Sequence, residues 1–201
     1  MPTPSETGPA ASLARLRAGN ERFVSGAVER PHQSAARRAE VARGQAPFAV
    51  VVGCSDSRVP PELIFDCGLG DLFVVRTAGH VIDDAVQGSI DYAVLHLHAP
   101  FVLVLGHSGC GAVKATVQTL NSGGTPADDG IGALMRYIAP AFEEVRNQPG
   151  DLTANTEAAH VRLTVPRLAA SQPVMAEAVA AGRVQVAGAV YVVESGVVSF
   201  L

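Results

Sequence analysis

Short apolar runs alternate with segments of helical periodicity along most of this chain, and this alternation constrains the fold more than any other feature. The runs are rich in valine and short enough to be strands that are buried on both faces. They are Phe48–Gly53, Leu72–Val75, Phe101–Gly106 and Val184–Val193. Because strands that are joined through helices pair in parallel, the sequence predicts an α/β fold with a mostly parallel central sheet covered by helices.

The segments between these runs place their apolar residues on one face of a helix. Such faces are formed by Val86, Ile90, Ala93 and Leu97, by Val113, Val117 and Leu120, and by apolar residues from Ile131 to Val145. A further helical segment, from Glu157 to Ala170, contains Pro166. A proline inside a helix removes one backbone hydrogen bond, so we expect this helix to kink or end there.

The first 45 residues do not follow the alternation. Leu13, Leu16 and Phe23 mark one amphipathic helix, and the stretch from Gln33 to Arg43 predicts a second. A chain of 201 residues has the length of one domain. We therefore expect a single domain, in which residues 1–45 form a helical arm that packs on a neighbouring surface and residues 46–201 form the α/β core.

Composition argues against several classes of protein. The formal net charge of −4 does not suit a nucleic-acid-binding protein, which normally carries a basic face. The chain contains no apolar run of about 18 residues that could span a membrane, and its first dozen residues lack the cationic start and apolar core of a secretory signal. Three cysteines are too few for a disulfide scaffold. We therefore expect a cytoplasmic protein with reduced thiols that are free for metal binding or chemistry.

Two of the predicted strands lead into cysteine and histidine, residue types that commonly bind metals. The run FAVVVG leads into Cys54, and the run FVLVLG leads into His107 and Cys110. Ligands of an open parallel sheet collect at the carboxyl ends of its strands. Two thiolates and one imidazole form a set that suits zinc, and a zinc ion with only three protein ligands keeps a fourth position open for catalysis. The sequence therefore predicts a catalytic zinc site at these three residues.

The cysteines also have interpretations that do not involve a metal. A lone buried cysteine is most often a small hydrophobic residue, which is our interpretation of Cys67. Cys54 and Arg58 together resemble the anion-binding loop of cysteine-based phosphatases. However, only three residues separate them, and Asp56 would place negative charge inside that loop.

The residues around these ligands resemble the beta-class carbonic anhydrases. The motifs are GCSDSRVPPELIFD (53–66), GLGDLFVVRTAG (68–79), GSIDYAV (88–94) and GHSGCGAVK (106–114), and the resemblance extends from about Leu13 to Gly196. It implies a carbonate dehydratase, a zinc lyase that hydrates carbon dioxide reversibly to bicarbonate and a proton through attack by zinc-bound hydroxide. It also implies one zinc ion per chain, held by Cys54, His107 and Cys110. Asp56 and Arg58 would form the adjacent catalytic dyad, with Asp56 a zinc ligand only in a closed state.

The same resemblance implies a substrate pocket for carbon dioxide and bicarbonate. Gln45 would donate a hydrogen bond to the substrate, Phe73 and Tyr92 would line the pocket, and a backbone amide near Gly111 would steady the product anion. In the family this pocket is completed across a dimer interface, with N-terminal helices wrapped around the partner. We therefore expect a homodimer or a dimer of dimers.

Several positions distinguish branches of the family. Gln45 favours the plant-like branch, whose zinc site is open. Val51 stands where the bicarbonate-regulated branch carries a tryptophan, and His80 and His160 stand where asparagine is common. Two alternative functions stay open: a hydrolase of the same fold that acts on carbon disulfide or carbonyl sulfide, and a noncatalytic zinc protein or thiol sensor in which Asp56 ligates the metal.

Overall fold

The computed structural model describes residues 8–201. The first seven residues of the predicted arm lie outside the described residues, and so does that part of the N-terminal segment that lacks the features of a secretory signal. The helices are α1 (Pro9–Ser25), α2 (Ala35–Val41), α3 (Pro61–Ile64), α4 (Asp84–His96), α5 (Gly111–Asn121), α6 (Gly130–Val145), α7 (Leu152–Ala169) and α8 (Val174–Ala180), and a 3₁₀ turn spans Ala78–His80. The strands are β1 (Ala49–Cys54), β2 (Leu72–Thr77), β3 (Phe101–His107), β4 (Gln185–Tyr191) and β5 (Val198–Phe200).

The five strands form one sheet in the order β2-β1-β3-β4-β5. The first four pair in parallel, and only β5 pairs antiparallel, with β4. Every residue of β1 and β3 is buried, as the unbroken apolar runs predict for central strands covered on both faces. The predicted α/β fold with a mostly parallel sheet is therefore confirmed, and the short strand β5 is an addition to it.

The order of the strands places β1 beside β3, although β2 lies between them in the chain. The connections therefore run outward from this pair in opposite directions, which opens a crevice at the carboxyl ends of the two strands. Gly53 of β1 is level with Leu105 of β3, so the chain segments that follow them leave the sheet side by side.

Helices cover both faces of the sheet. Ile90 of α4 and Met175 of α8 belong to the core on one face, and Leu16 of α1 and Phe65 belong to the core on the other. Helix α7 contacts β3 and β4, and it comes so close that a Cβ atom added at Gly106 or Gly188 would lie 2.6 Å from a methyl group of Val161. Within residues 8–201, no helix is both long enough and apolar enough to cross a membrane.

The predicted N-terminal helices are present, as α1 and α2. Leu16 of α1 is fully buried against the core of its own chain, whereas α2 contains no buried residue. Packing of this arm on a partner stays a prediction. Helix α7 begins at Leu152, earlier than expected, and continues through Pro166 to Ala169, so the proline does not end the helix.

Candidate metal centre

Cys54, His107 and Cys110 lie together at the carboxyl edge of the sheet, and all three are buried. Each offers one ligand atom, and these atoms lie within 4.8 Å of one another. The Nδ1 atom of His107 lies 3.0 Å from the backbone oxygen of Ser108, whereas its Nε2 atom is buried and has no hydrogen-bond partner among residues 8–201. The structure thus brings together the three residues that were predicted to bind zinc.

Backbone amides fix the position of the Cys54 sulfur. The amide of Asp56 donates to Cys54 Sγ at 3.4 Å, and the amide of Gly79, in the 3₁₀ turn after β2, donates to it at 3.3 Å. Arg76, at the end of β2, donates to the backbone oxygens of Cys54 at 2.8 Å and of Asp56 at 2.6 Å. These contacts hold the loop that leaves β1 against the neighbouring strand.

A tight turn carries the chain from His107 to Cys110. Gly109 adopts a φ of 68°, a left-handed conformation that glycine tolerates without steric cost. Cys110 then stands at the N-cap of α5. The positive end of that helix dipole favours the thiolate form of its side chain.

The two thiols and the imidazole interact strongly. Hydrogen bonding with Cys110, opposed by burial, lowers the pKa of Cys54, and the same contact raises the pKa of Cys110. Burial acts to lower the pKa of His107, but the adjacent Cys54 sulfur raises it overall. The cluster therefore concentrates negative charge on buried sulfur, which is the electrostatic environment that a divalent cation stabilises.

This donor set fits zinc. Thiolates and an imidazole are the ligands that zinc prefers over the oxygen donors of magnesium and calcium. The buried Nε2 atom of His107 has no partner within the described chain, and such an atom is costly unless it binds a ligand. Zinc coordination by Cys54, His107 and Cys110 would satisfy it.

Asp56 and Arg58 form a two-point ion pair beside the cluster. Arg58 Nε donates to Asp56 Oδ1 at 2.9 Å and Nη2 donates to Oδ2 at 2.7 Å, while the backbone amide of Arg58 donates to Oδ1 at 2.9 Å. Arg58 Nη2 also lies 3.3 Å from the backbone oxygen of Gly109. The hydrogen bond from Arg58 holds the pKa of Asp56 well below its usual range, so this carboxylate is ionised and oriented.

A sequence model of the carbonic anhydrase family matches residues 49–198, which include the three clustered ligands and the ion pair. The fold also matches a beta-carbonic anhydrase from Coccomyxa, solved in complex with acetazolamide, with a TM-score of 0.74 and 26% identity over 94% of this chain and 86% of that one. The chain belongs to the beta-class carbonic anhydrases. It is 45% identical over 190 residues to carbonic anhydrase 2 of Mycobacterium tuberculosis, with 94% of this chain and 91% of that protein covered. It is 44% identical to a carbonic anhydrase of Mycolicibacterium smegmatis, with 94% and 92% covered.

The family resemblance inferred from the motifs is therefore confirmed, whereas the assignment to the open-site branch and the roles of individual residues stay predictions. In this carbonic anhydrase the predicted pocket residues lie apart from the ligands of the same chain. Gln45 is exposed and precedes β1, at the end of the strand opposite to Cys54. The 6 residues of β1 are separated by five steps of about 3.3 Å, so the two ends of the strand lie roughly 16 Å apart.

The two predicted aromatic residues lie near each other. Phe73 is level with Val50, near the amino end of the edge strand β2, and its ring lies 6.5 Å from that of Tyr92 on α4. Tyr92 is half exposed. Gly111, by contrast, directly follows Cys110 and opens α5 at the metal centre.

Helix α7 adds two buried residues whose roles the sequence did not predict. Glu157 Oε1 accepts a hydrogen bond from the backbone amide of Cys110 at 2.8 Å. One turn along, His160 Nε2 lies 3.1 Å from the backbone oxygen of Gly79, and its ring packs against that of His80 with centroids 4.4 Å apart and a tilt of 33° between the ring planes. Burial raises the pKa of Glu157, although the amide of Cys110 opposes that shift. The signal available in the sequence was their i, i+3 spacing, which places both side chains on one face of a helix.

Proposed function

We propose that this carbonic anhydrase hydrates carbon dioxide reversibly to bicarbonate and a proton, with one zinc ion per chain held by Cys54, His107 and Cys110. The observation that carries the proposal is the buried cluster of two thiols and an imidazole, with the unpartnered Nε2 atom of His107. Zinc held by these residues would supply Lewis acidity, weaker than in a three-histidine site because two thiolates would neutralise its charge.

Asp56 orients the attacking oxygen in this proposal. A carboxylate held by two parallel bonds from Arg58 keeps one geometry and retains acceptor capacity toward its open side. It can therefore accept a hydrogen bond from the attacking oxygen and direct a lone pair at the substrate carbon. The pairing with Arg58 also keeps Asp56 away from the three ligands, which favours the open-site, plant-like branch.

The substrate pocket is completed by a second copy of the chain in this proposal. Gln45 precedes β1 and Phe73 lies near the amino end of β2, so both are far from the proposed zinc ligands of the same chain. A homodimer that places these residues at the partner's carboxyl edge would supply an apolar wall and a hydrogen-bond donor. The amide of Gly111, at the start of α5, lies on the ligand side and would steady the anionic product.

Dimerisation also gives a role to the N-terminal arm. Helix α2, which buries no residue in its own chain, is the part of the arm best suited to contact a partner. A dimer of dimers is the alternative assembly in this proposal. Location in the cytoplasm is supported by the three free cysteines, which persist as thiols in a reducing compartment.

The proposal is tested by stopped-flow hydration of carbon dioxide together with metal analysis. We expect about one zinc per chain, loss of activity on chelation and recovery on adding zinc back. Cys110→Ala should lose both zinc and activity, whereas Cys67→Ala should keep both, because Cys67 is equally buried but lies outside the cluster. Unchanged hydration by fully metal-free protein would contradict the proposal.

A further inference from the structure

Glu157 is a buried carboxylate beside the metal centre that makes no ion pair with an arginine or lysine in residues 8–201. Its side chain reaches from α7 to the start of α5, where Oε1 accepts the hydrogen bond from the Cys110 amide. Burying an acidic group is costly unless strong hydrogen bonds offset the loss of water. This carboxylate is therefore kept at a position where it accepts a hydrogen bond from the backbone of a proposed metal ligand.

The hydrogen bond between Glu157 and the Cys110 amide lies at the start of α5 and restrains the position of Cys110. Cys110 is the N-cap of α5, but its own side chain makes no capping hydrogen bond. Glu157 instead satisfies one of the amides that the first turn of a helix leaves unpaired. Because this amide belongs to Cys110 itself, its hydrogen bond restrains the main chain from which Sγ projects.

The helix that carries Glu157 is itself anchored to the strand that carries His107. Val161, one turn after Glu157, packs on Gly106, the residue directly before His107. Helix α7 therefore holds Cys110 through a hydrogen bond and the end of β3 through a packing contact. This arrangement sets the distance between two of the three ligands.

We propose that Glu157 is a positioning residue of the metal centre, which holds the Cys110 sulfur in place for zinc by accepting the hydrogen bond from the Cys110 amide. The inference rests on the proposed zinc site and assigns a role to a residue that does not touch the metal. Groups that orient metal ligands in this way typically contribute 10- to 100-fold to metal affinity or activity.

The test measures release of zinc to an excess of chelator and the visible spectrum of the cobalt-substituted protein. Glu157→Ala removes the acceptor, whereas Glu157→Gln keeps an oxygen that can accept the same hydrogen bond. Thr164→Val is the matched control, because Thr164 is also buried on α7, two turns further along, away from the metal centre. Thermal unfolding of each variant separates changes at the metal site from a general loss of helix packing.

We expect Glu157→Ala to release zinc roughly 10- to 100-fold faster than wild type and to alter the cobalt bands, which depend on coordination geometry. Glu157→Gln should restore release to within a few-fold of wild type, and Thr164→Val should leave the cobalt spectrum unchanged. The inference is overturned if Glu157→Ala and Thr164→Val release zinc equally fast, or if Glu157→Gln is as defective as Glu157→Ala. If either result is found while the wild-type protein holds zinc and hydrates carbon dioxide, only the inference about Glu157 fails and the proposed function stands. If the wild-type protein holds no zinc, the inference and the proposed function both fail.

Discussion

The buried imidazole of His160 should make the stability of this carbonic anhydrase sensitive to acid. Its Nε2 atom lies 3.1 Å from the backbone oxygen of Gly79, and its ring packs against that of His80, which is also buried. Burial lowers the pKa of His160 from its ordinary value of 6.5 to about 4, although the hydrogen bond to Gly79 acts in the opposite direction. Arg167, on the same helix, adds a small repulsion toward the protonated ring.

The sign of the effect follows from which state binds the proton first. The unfolded chain protonates His160 near pH 6.5, whereas the folded chain does so only near pH 4. The contribution to stability is therefore complete above pH 6.5 and is lost as the pH falls from 6.5 toward 4. At about 1.4 kcal/mol per pKa unit, the full loss is about 3 kcal/mol, of which about 2 kcal/mol is gone by about pH 4.5.

Urea unfolding at about pH 7 and about pH 4.5 measures this loss directly. His160→Gln keeps a donor for the Gly79 oxygen but cannot gain charge, so wild type should lose about 2 kcal/mol more than this variant between the two pH values. The three clustered residues of the metal centre are present in both proteins, so their effects largely cancel in the comparison. Repulsion between His80 and a protonated His160 is lost in the variant and therefore adds to the difference in the same direction. His96→Gln, a change at an exposed residue of α4, controls for removal of a histidine as such. Equal losses in wild type and His160→Gln would refute the reasoning.

Three further predictions concern the active site and its support. Arg58→Ala should retain zinc but lose hydration activity, because the neighbouring carboxylate is released to approach the metal; near-normal turnover in stopped-flow assays would contradict this role. Gly106→Ala should destabilise the protein by about 1–3 kcal/mol in urea unfolding, because the new methyl group clashes with Val161. The double variant Gly106→Ala/Val161→Ala should lose less unfolding free energy than the sum of the losses in the two single variants. Strict additivity of the two losses would show that the clash is not the cause. If the partner supplies Gln45, mixing inactive Gln45→Ala and Cys110→Ala chains should restore hydration, since one site of each mixed dimer is intact; the absence of restoration despite exchange would argue against a shared site.

The three clustered residues could be predicted from the sequence because their signals are local. Cys54 and His107 each follow directly on an apolar run, Cys110 comes three residues after His107, and the runs identified the central strands of the sheet. Glu157 and His160 could not be predicted in the same way, because nothing near them in the chain indicates what α7 packs against. Strand β5 was missed since it has only three residues, Val198–Phe200, and its pairing with β4 is formed by the fold rather than by its own apolar pattern. Pro166 was expected to kink or end its helix, yet α7 continues beyond it to Ala169.

Helix α7 contacts all three segments that carry the proposed zinc ligands. Glu157 holds the amide of Cys110, His160 holds the turn that donates to Cys54 Sγ, and Val161 packs against β3 directly before His107. The helix can approach this closely only because Gly106 and Gly188 present no side chain beneath Val161. The geometry of the metal centre therefore depends on how α7 docks on the sheet, and a change at either glycine should alter zinc binding without touching a ligand.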